Sequence, residues 1–262
     1  MDDAAEANRR WQQMLAAWAI PEELVARAPE PPYFFDPAVF IAAADDAVAR
    51  VEDTVSDAVA REALQPEGTV LDVGVGAGAA SLRLRPAHVT GVDPNTTLLE
   101  AFAARAANLG VAHTEVEGTW PDSAPRVPDA DVVVCHHLVY NVPDLASFAS
   151  ALASRARRRV VLELTAVHPM AWLAPYWMAL HGLAQPATPT AEDAAAVLVA
   201  LGFAVREQRW QRAVEMIGEL SDDHVARIAR RLCLDSSRVP ELRHLLATTP
   251  PPTARDVVTM WW

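Results

Sequence analysis

A chain of 262 residues with 52% hydrophobic and 21% charged residues is long enough for one large core with additions, and its composition excludes a disordered protein. A formal net charge of -12 argues against a phosphate backbone as partner. The sequence holds no lysine, so Schiff-base and P-loop lysine chemistry are excluded.

In chain order, residues 1–65 read as helical. Trp11, Met14, Leu15 and Trp18 fall at helical spacing. A stiff aromatic connector follows, Pro29-Glu30-Pro31-Pro32-Tyr33-Phe34-Phe35. Asp36-Pro37 then opens a helix, by a cap and a proline at the first helical position, whose stripe runs from Phe40 through Val51 and Val55 until Pro66 stops it. From Thr69 onward short apolar runs alternate with helical segments, near 69–73, 89–92, 111–116, 131–135 and 160–164. Asn95 and Asp144 cap helices between them. That alternation predicts a parallel sheet covered by helices on both faces. The arginines at 155 and 157–159 read as a solvated turn before the fifth strand. Thr190 to Asp193 resembles a capping box and Gly202 a stop, giving a helix over 191–201. Residues 203–210 then read as a sixth strand, and two short helices near 220–247 precede a last strand at 257–262.

Cys135 and Cys233 lie far apart with no CxxC, which points away from a disulfide framework or a thiolate zinc site and towards a reducing cytoplasm. The acidic N-terminus lacks a signal-peptide layout, and the apolar stretch 170–184 is too short to span a bilayer. No membrane and no metal is expected.

The strongest signal is Asp72-Val73-Gly74-Val75-Gly76-Ala77-Gly78. A buried strand ends in a glycine turn, where the backbone can approach a ligand that a Cβ would block, and is expected to lead into a helix. Asp93 ends the next strand, about twenty residues on, where an acid accepts hydrogen bonds from ribose hydroxyls. Gly74-x-Gly76-x-x-Ala79 also fits a dinucleotide pattern, so an NAD(P)-dependent oxidoreductase stays open. Asp72, placed two residues before Gly74, would repel a pyrophosphate and suits an ammonium group.

These segments, with the stretch from Asp131 to Asp144 that carries Cys135-His136-His137 and Val142-Pro143-Asp144, resemble the class I S-adenosylmethionine (SAM)-dependent methyltransferase superfamily. The resemblance covers about residues 66–165. It implies a seven-stranded, mostly parallel Rossmann-like α/β sheet with one reversed strand. It implies SAM as cofactor and S-adenosylhomocysteine as product. By position, Asp72, Gly74, Gly76 and Gly78 would hold the methionine end, Asp93 the ribose, and Thr119 and Trp120 the adenine. Thr119 stands where the family has an acid. His136 would lie near the methyl group.

Methyl transfer needs alignment, and a base only when the acceptor must lose a proton. His136 and His168, at predicted strand ends, are the catalytic candidates, with His137 expected to point away from His136. Tyr33, Phe34, Trp172 and Tyr176 are the candidate walls of an acceptor pocket, the last two as an i, i+4 pair. The expected organisation is a helical cap at 1–65, a SAM-binding core at 66–217, a helical insertion at 218–250 and the final strand at 251–262. The expected function is methylation of oxygen or nitrogen on a small-molecule acceptor. A non-catalytic SAM-binding partner or sensor module is the other alternative. The sequence does not indicate an oligomeric state.

Overall fold

In the computed structural model, residues 2–34, 36–213 and 221–262 are described. Phe35 of the aromatic connector, and the expected boundary between core and insertion at 217–218, lie outside the described residues. Seven strands form one sheet: β1 (Thr69–Val73), β2 (His88–Asp93), β3 (Ala112–Glu117), β4 (Ala130–His136), β5 (Ala156–Thr165), β6 (Arg206–Ala213) and β7 (Ala254–Trp261). Their order is β3-β2-β1-β4-β5-β7-β6. The first five pair in parallel, and β7 runs antiparallel between β5 and β6. Strand order reverses between β1 and β4, so the ends of these two strands bound the crevice where ligands of open α/β sheets bind.

The helices are α1 (Asp2–Ala16), α2 (Glu22–Arg27), α3 (Pro37–Ala49), α4 (Val55–Ala63), α5 (Thr96–Asn108), α6 (Leu145–Arg155), α7 (Ala174–His181), α8 (Ala191–Ala200), α9 (Asp222–Arg231) and α10 (Val239–Thr248). Period-two alternation sends Leu71, Val133, Cys135 and Leu162 to one face, against α6, α8 and the fully buried Trp11 of α1. Val70, Val132, Val134 and Val161 face the other way, against α4 and α5. A third cluster joins α7, α9 and α10 through Trp177, Ile228 and Leu242.

Several expectations are corrected. Residues 1–65 do not form one unit over the ligand edge: α1 packs on one sheet face, α4 on the other, and α3 rests on α5 and Ala77. The long stripe after Asp36 is two helices, because Thr54 and Asp57 form a capping box that restarts the chain; Val51, between them, is 95% exposed. The arginines at 157–159 lie within β5, and Arg159 pairs with Glu62 at 2.7 Å. The sixth strand starts at Arg206, because Phe203 and Val205 turn inward onto the core as the chain approaches the sheet edge. Between the glycine turn and β2 there is no α-helix: a 3-10 turn, Leu82–Leu84, ends at Arg85 with φ of 51°. No helix is long and apolar enough to cross a membrane among the described residues.

Candidate active site

The glycine turn is built from β1 and β2 together. The amides of Gly74 and Val75 both donate to the carbonyl of Val92, at 2.8 and 3.1 Å. Gly74 adopts φ of 73°, and a Cβ there would meet Leu138, which follows β4, at 2.7 Å. Gly76, with φ of 52°, faces open space: a Cβ would meet nothing within 4 Å. Asp93 ties the turn to the second strand. One carboxylate oxygen accepts from the Gly76 amide and the other from the Asn95 amide, both at 2.9 Å. Asp72 lies behind the turn, 1% exposed. Neither of its carboxyl oxygens has a hydrogen-bond partner, and the neighbouring Ser81 hydroxyl is unpartnered too. Burial pushes the Asp72 carboxyl up to about 7, Asp93 adds to that shift, and Ser81 opposes it.

After β3, the Gly118 amide donates to the Asp93 carbonyl at 3.1 Å. The exposed Thr119 donates its hydroxyl to Asp122, three residues on, at 3.2 Å. Sequence reasoning passed over Asp122. The half-buried Trp120 is fixed to α6 by its indole N–H, 3.3 Å from the Phe148 carbonyl.

At the end of β4, His136 and His137 converge. His136 Nδ1 stands 3.9 Å from the carboxylate of Glu163, its neighbour on β5, and Nε2 is buried without a partner. Burial lowers the His136 pKa, while Glu163 pulls it upward. His137 was expected to point away. Instead the chain turns left-handed there, φ 57°, and brings its Nε2 to 2.8 Å from Glu163 and 2.9 Å from Arg212. Glu163 is 1% exposed and receives Arg212 Nη2 at 2.5 Å. Burial alone would raise its pKa, but His136, His137 and Arg212 together hold it well below the usual carboxylate range. A lone glutamate within an apolar strand is the signal that reasoning from the sequence missed.

His168 lies elsewhere, past β5. It stacks on Trp18 at 3.8 Å between ring centres and meets Tyr140 edge-on at 5.3 Å. Burial, then Arg231, lowers its pKa to about 4. Its Nδ1 accepts from the Met170 amide at 3.2 Å, so the neutral ring carries its proton on Nε2. These residues line a cleft of about 360 Å³ with Leu15, Tyr33 and Trp177. Tyr33 is therefore at the cleft, its hydroxyl accepting from the Ile20 amide at 2.9 Å. Phe34, Trp172 and Tyr176 are not among its lining residues. Phe34 lies under Arg230 at 4.2 Å, and Trp172 and Tyr176 pack edge-to-face in the third cluster, where Tyr176 donates to the Thr249 carbonyl. Trp18, Tyr140 and Trp177 line it instead.

With this geometry in place, residues 70–158 match the family described as "Methyltransferase domain". Over these residues the chain is similar to a methyltransferase domain. The match spans the glycine turn, Asp93, Thr119 and both histidines at the end of β4. Ubiquinone biosynthesis O-methyltransferase of Aeromonas salmonicida (strain A449) is 35% identical over 109 residues, 40% of this chain and 46% of that one. The enzyme of the same description from Vibrio atlanticus (strain LGP32) is 38% identical over 85 residues, 31% and 36% of the two chains. The chain thus spans about half the length of these relatives or less. Among solved structures, a cyclopropane-fatty-acyl-phospholipid synthase-like protein from Lactobacillus casei ATCC 334 superposes with a TM-score of 0.54 over 96% of this chain and 98% of its own, at 16% identity. A SAM-dependent methyltransferase from Thiobacillus denitrificans gives 0.52 over 87% and 98%, at 17% identity. These two likenesses show the fold alone.

Proposed function

We propose that this chain transfers a methyl group from SAM to a hydroxyl oxygen of a small-molecule acceptor held in the cleft. The observation that carries the reading is the pairing of an open glycine face at Gly76 with a buried, unpartnered carboxylate at Asp72. A buried ionisable group without a partner is costly, and a ligand ammonium group relieves it. The donor set therefore fits SAM. Asp72 and the turn from Gly74 to Gly78 would hold the methionine end, Asp93 the ribose, and the segment at Thr119, Trp120 and Asp122 the adenine. When bound, SAM supplies an electrophilic methyl on a sulfonium.

The chain's own residues do the rest. The cleft aligns the acceptor and excludes water through Trp18, Tyr140 and Trp177. His136 is neutral near pH 7 and has a free nitrogen, so it is the proposed base that takes the hydroxyl proton. His168 presents an Nε2–H and orients the acceptor oxygen as a donor. The relatives matched over the core are described as O-methyltransferases, which favours oxygen over nitrogen. A dinucleotide needs a helix N-terminus for its pyrophosphate, and the three-residue turn at Leu82–Leu84 offers none.

The test is calorimetry with S-adenosylhomocysteine and with NAD, then a screen of phenolic and other hydroxyl acceptors read as S-adenosylhomocysteine release. Binding of S-adenosylhomocysteine alone, with turnover of one acceptor class, supports the reading. Binding without turnover of any acceptor favours a sensor module, and binding of NAD alone sinks the proposal.

A further inference from the structure

The walls of the cleft are aromatic, and their polar tips are engaged by the chain itself. The Trp18 indole N–H donates to the Thr188 carbonyl at 2.7 Å and the Tyr140 hydroxyl to the Thr165 carbonyl at 2.8 Å, while the Tyr33 hydroxyl accepts from the Ile20 amide at 2.9 Å. Each ring is thereby held in one orientation and offers the interior its apolar body. Among these rings stand three side-chain carboxamides: Gln12 on α1, Asn141 just after β4, and Gln185 beyond α7. None of the three makes a side-chain hydrogen bond among the described residues. Gln12 and Gln185 are half-buried. Elsewhere the chain uses such groups: Asn8 engages both Asp144 and the Ala146 amide, and Asn95 caps α5. A carboxamide offers two donors and an acceptor oxygen. In a cleft, water serves these until a ligand takes its place. His168 adds an Nε2–H to the same space. Arg231 also lines it, held to the Pro32 carbonyl at 2.7 Å and the Met170 sulfur at 3.3 Å, and its charge helps to keep His168 neutral.

We propose that the cleft takes a flat aromatic acceptor bearing more than one neutral oxygen substituent: one hydroxyl is methylated, and the others are read by the carboxamides of Gln12, Asn141 and Gln185. That the ring is a methyl acceptor rests on the SAM-dependent reading; its flatness and its oxygens rest on the cleft. The rings of Trp18, Tyr140 and Trp177 reward a π-face or a ring edge beyond the apolar area they bury. The carboxamides come from three separate elements, so a ligand that satisfies them carries polar atoms at more than one position of its rim. The volume of about 360 Å³ lies near the small end of the range for small-molecule sites, about 300–1,000 Å³, which suits one small ring system.

The experiment uses the full chain with S-adenosylhomocysteine present and titrates three probes: a benzenediol, phenol and cyclohexanediol. Binding is read by calorimetry and as quenching of tryptophan fluorescence, since Trp18 and Trp177 line the cleft. The benzenediol should bind about two- to tenfold more tightly than phenol, the worth of one further hydrogen bond. It should bind about tenfold more tightly than cyclohexanediol, whose puckered ring cannot stack. In the double variant Gln12→Leu with Gln185→Leu, the advantage over phenol should vanish while phenol binds as before. Its Tm should stay near the parent's, because neither side chain gives up a hydrogen bond within the described chain. Gln185→Leu alone should lose part of the advantage, and it serves where the double variant does not fold. Equal affinity for benzenediol and cyclohexanediol overturns the aromatic acceptor. A benzenediol no tighter than phenol, or variants that weaken both alike, overturn the role of the carboxamides. S-adenosylhomocysteine affinity, measured on the same samples without probe, reports on the transfer reading separately. Intact affinity with no probe bound sinks the proposal alone, while probe binding without S-adenosylhomocysteine binding supports the ring site and sinks methyl transfer.

Discussion

Asp72 is the residue whose environment and chemistry are most at odds. Its carboxyl is raised to about 7 in the folded chain, from an ordinary value of 3.8. A raised acid favours its protonated form, so its contribution to stability is full below about pH 4 and is lost as pH rises through 7. Asp72→Asn should therefore be more stable than the parent above pH 7, with the gap closing towards pH 4, measured by denaturant unfolding across that range. Affinity for SAM should do the reverse, falling as pH drops below about 7, because an ammonium group selects the carboxylate; a pH-independent affinity would remove Asp72 from the cofactor site. Asp93 carries two loads, since both its oxygens already hold backbone amides. Asp93→Ala should weaken S-adenosylhomocysteine by about 1–3 kcal/mol in calorimetry. For His136→Ala, kcat should drop by about 10²–10⁴ with SAM affinity near the parent's. A drop of less than about tenfold would leave alignment alone as the driving effect.

At the scale of elements, α1 is the surprise. Trp11 is fully buried against α6 and α8, donates to the Val142 carbonyl at 2.8 Å and stacks with Tyr140 at 5.8 Å. The helix is thus part of the core layer and at the same time positions Leu15 and, just beyond its end, Trp18 at the cleft. Trp11→Ala should cost about 3–5 kcal/mol of stability, read from the shift of the urea midpoint. A cost below 1 kcal/mol would make α1 a loosely attached lid. The capping box at Thr54 does smaller work: Thr54→Ala should cost about 1 kcal/mol, because it leaves the Asp57 amide without an acceptor and releases α4 from its start.

For the whole molecule, the reversal of strand order at β1 and β4 gathers the glycine turn, His136 and the approach to the cleft along one edge. A ligand bound there stabilises the native state by mass action. S-adenosylhomocysteine at one hundred times its Kd should add about 2.7 kcal/mol, visible as a rise in Tm, and NAD should add nothing. An equal rise with NAD would reopen the dinucleotide reading.

Local patterns were enough to place the parallel strands approximately and the glycine turn with its acid. Thr69 to Val73 ends in glycines, Asp93 ends the next apolar run, and Asn95 and Asp144 cap their helices, each signal carried by a few neighbouring residues. The acceptor side depended on contacts between distant residues. Trp18 meets His168, Tyr140 donates to the Thr165 carbonyl, and Arg212 reaches Glu163, and no periodicity encodes those meetings. Trp172 and Tyr176 have the spacing of a pocket wall, but the neighbouring α10 claims Tyr176 for packing. His137 fits an alternating strand by pattern, yet the left-handed turn after β4 reverses its side chain towards Glu163. Sequence fixes what a residue prefers over one turn or one strand; tertiary packing decides which buried charge it finally meets.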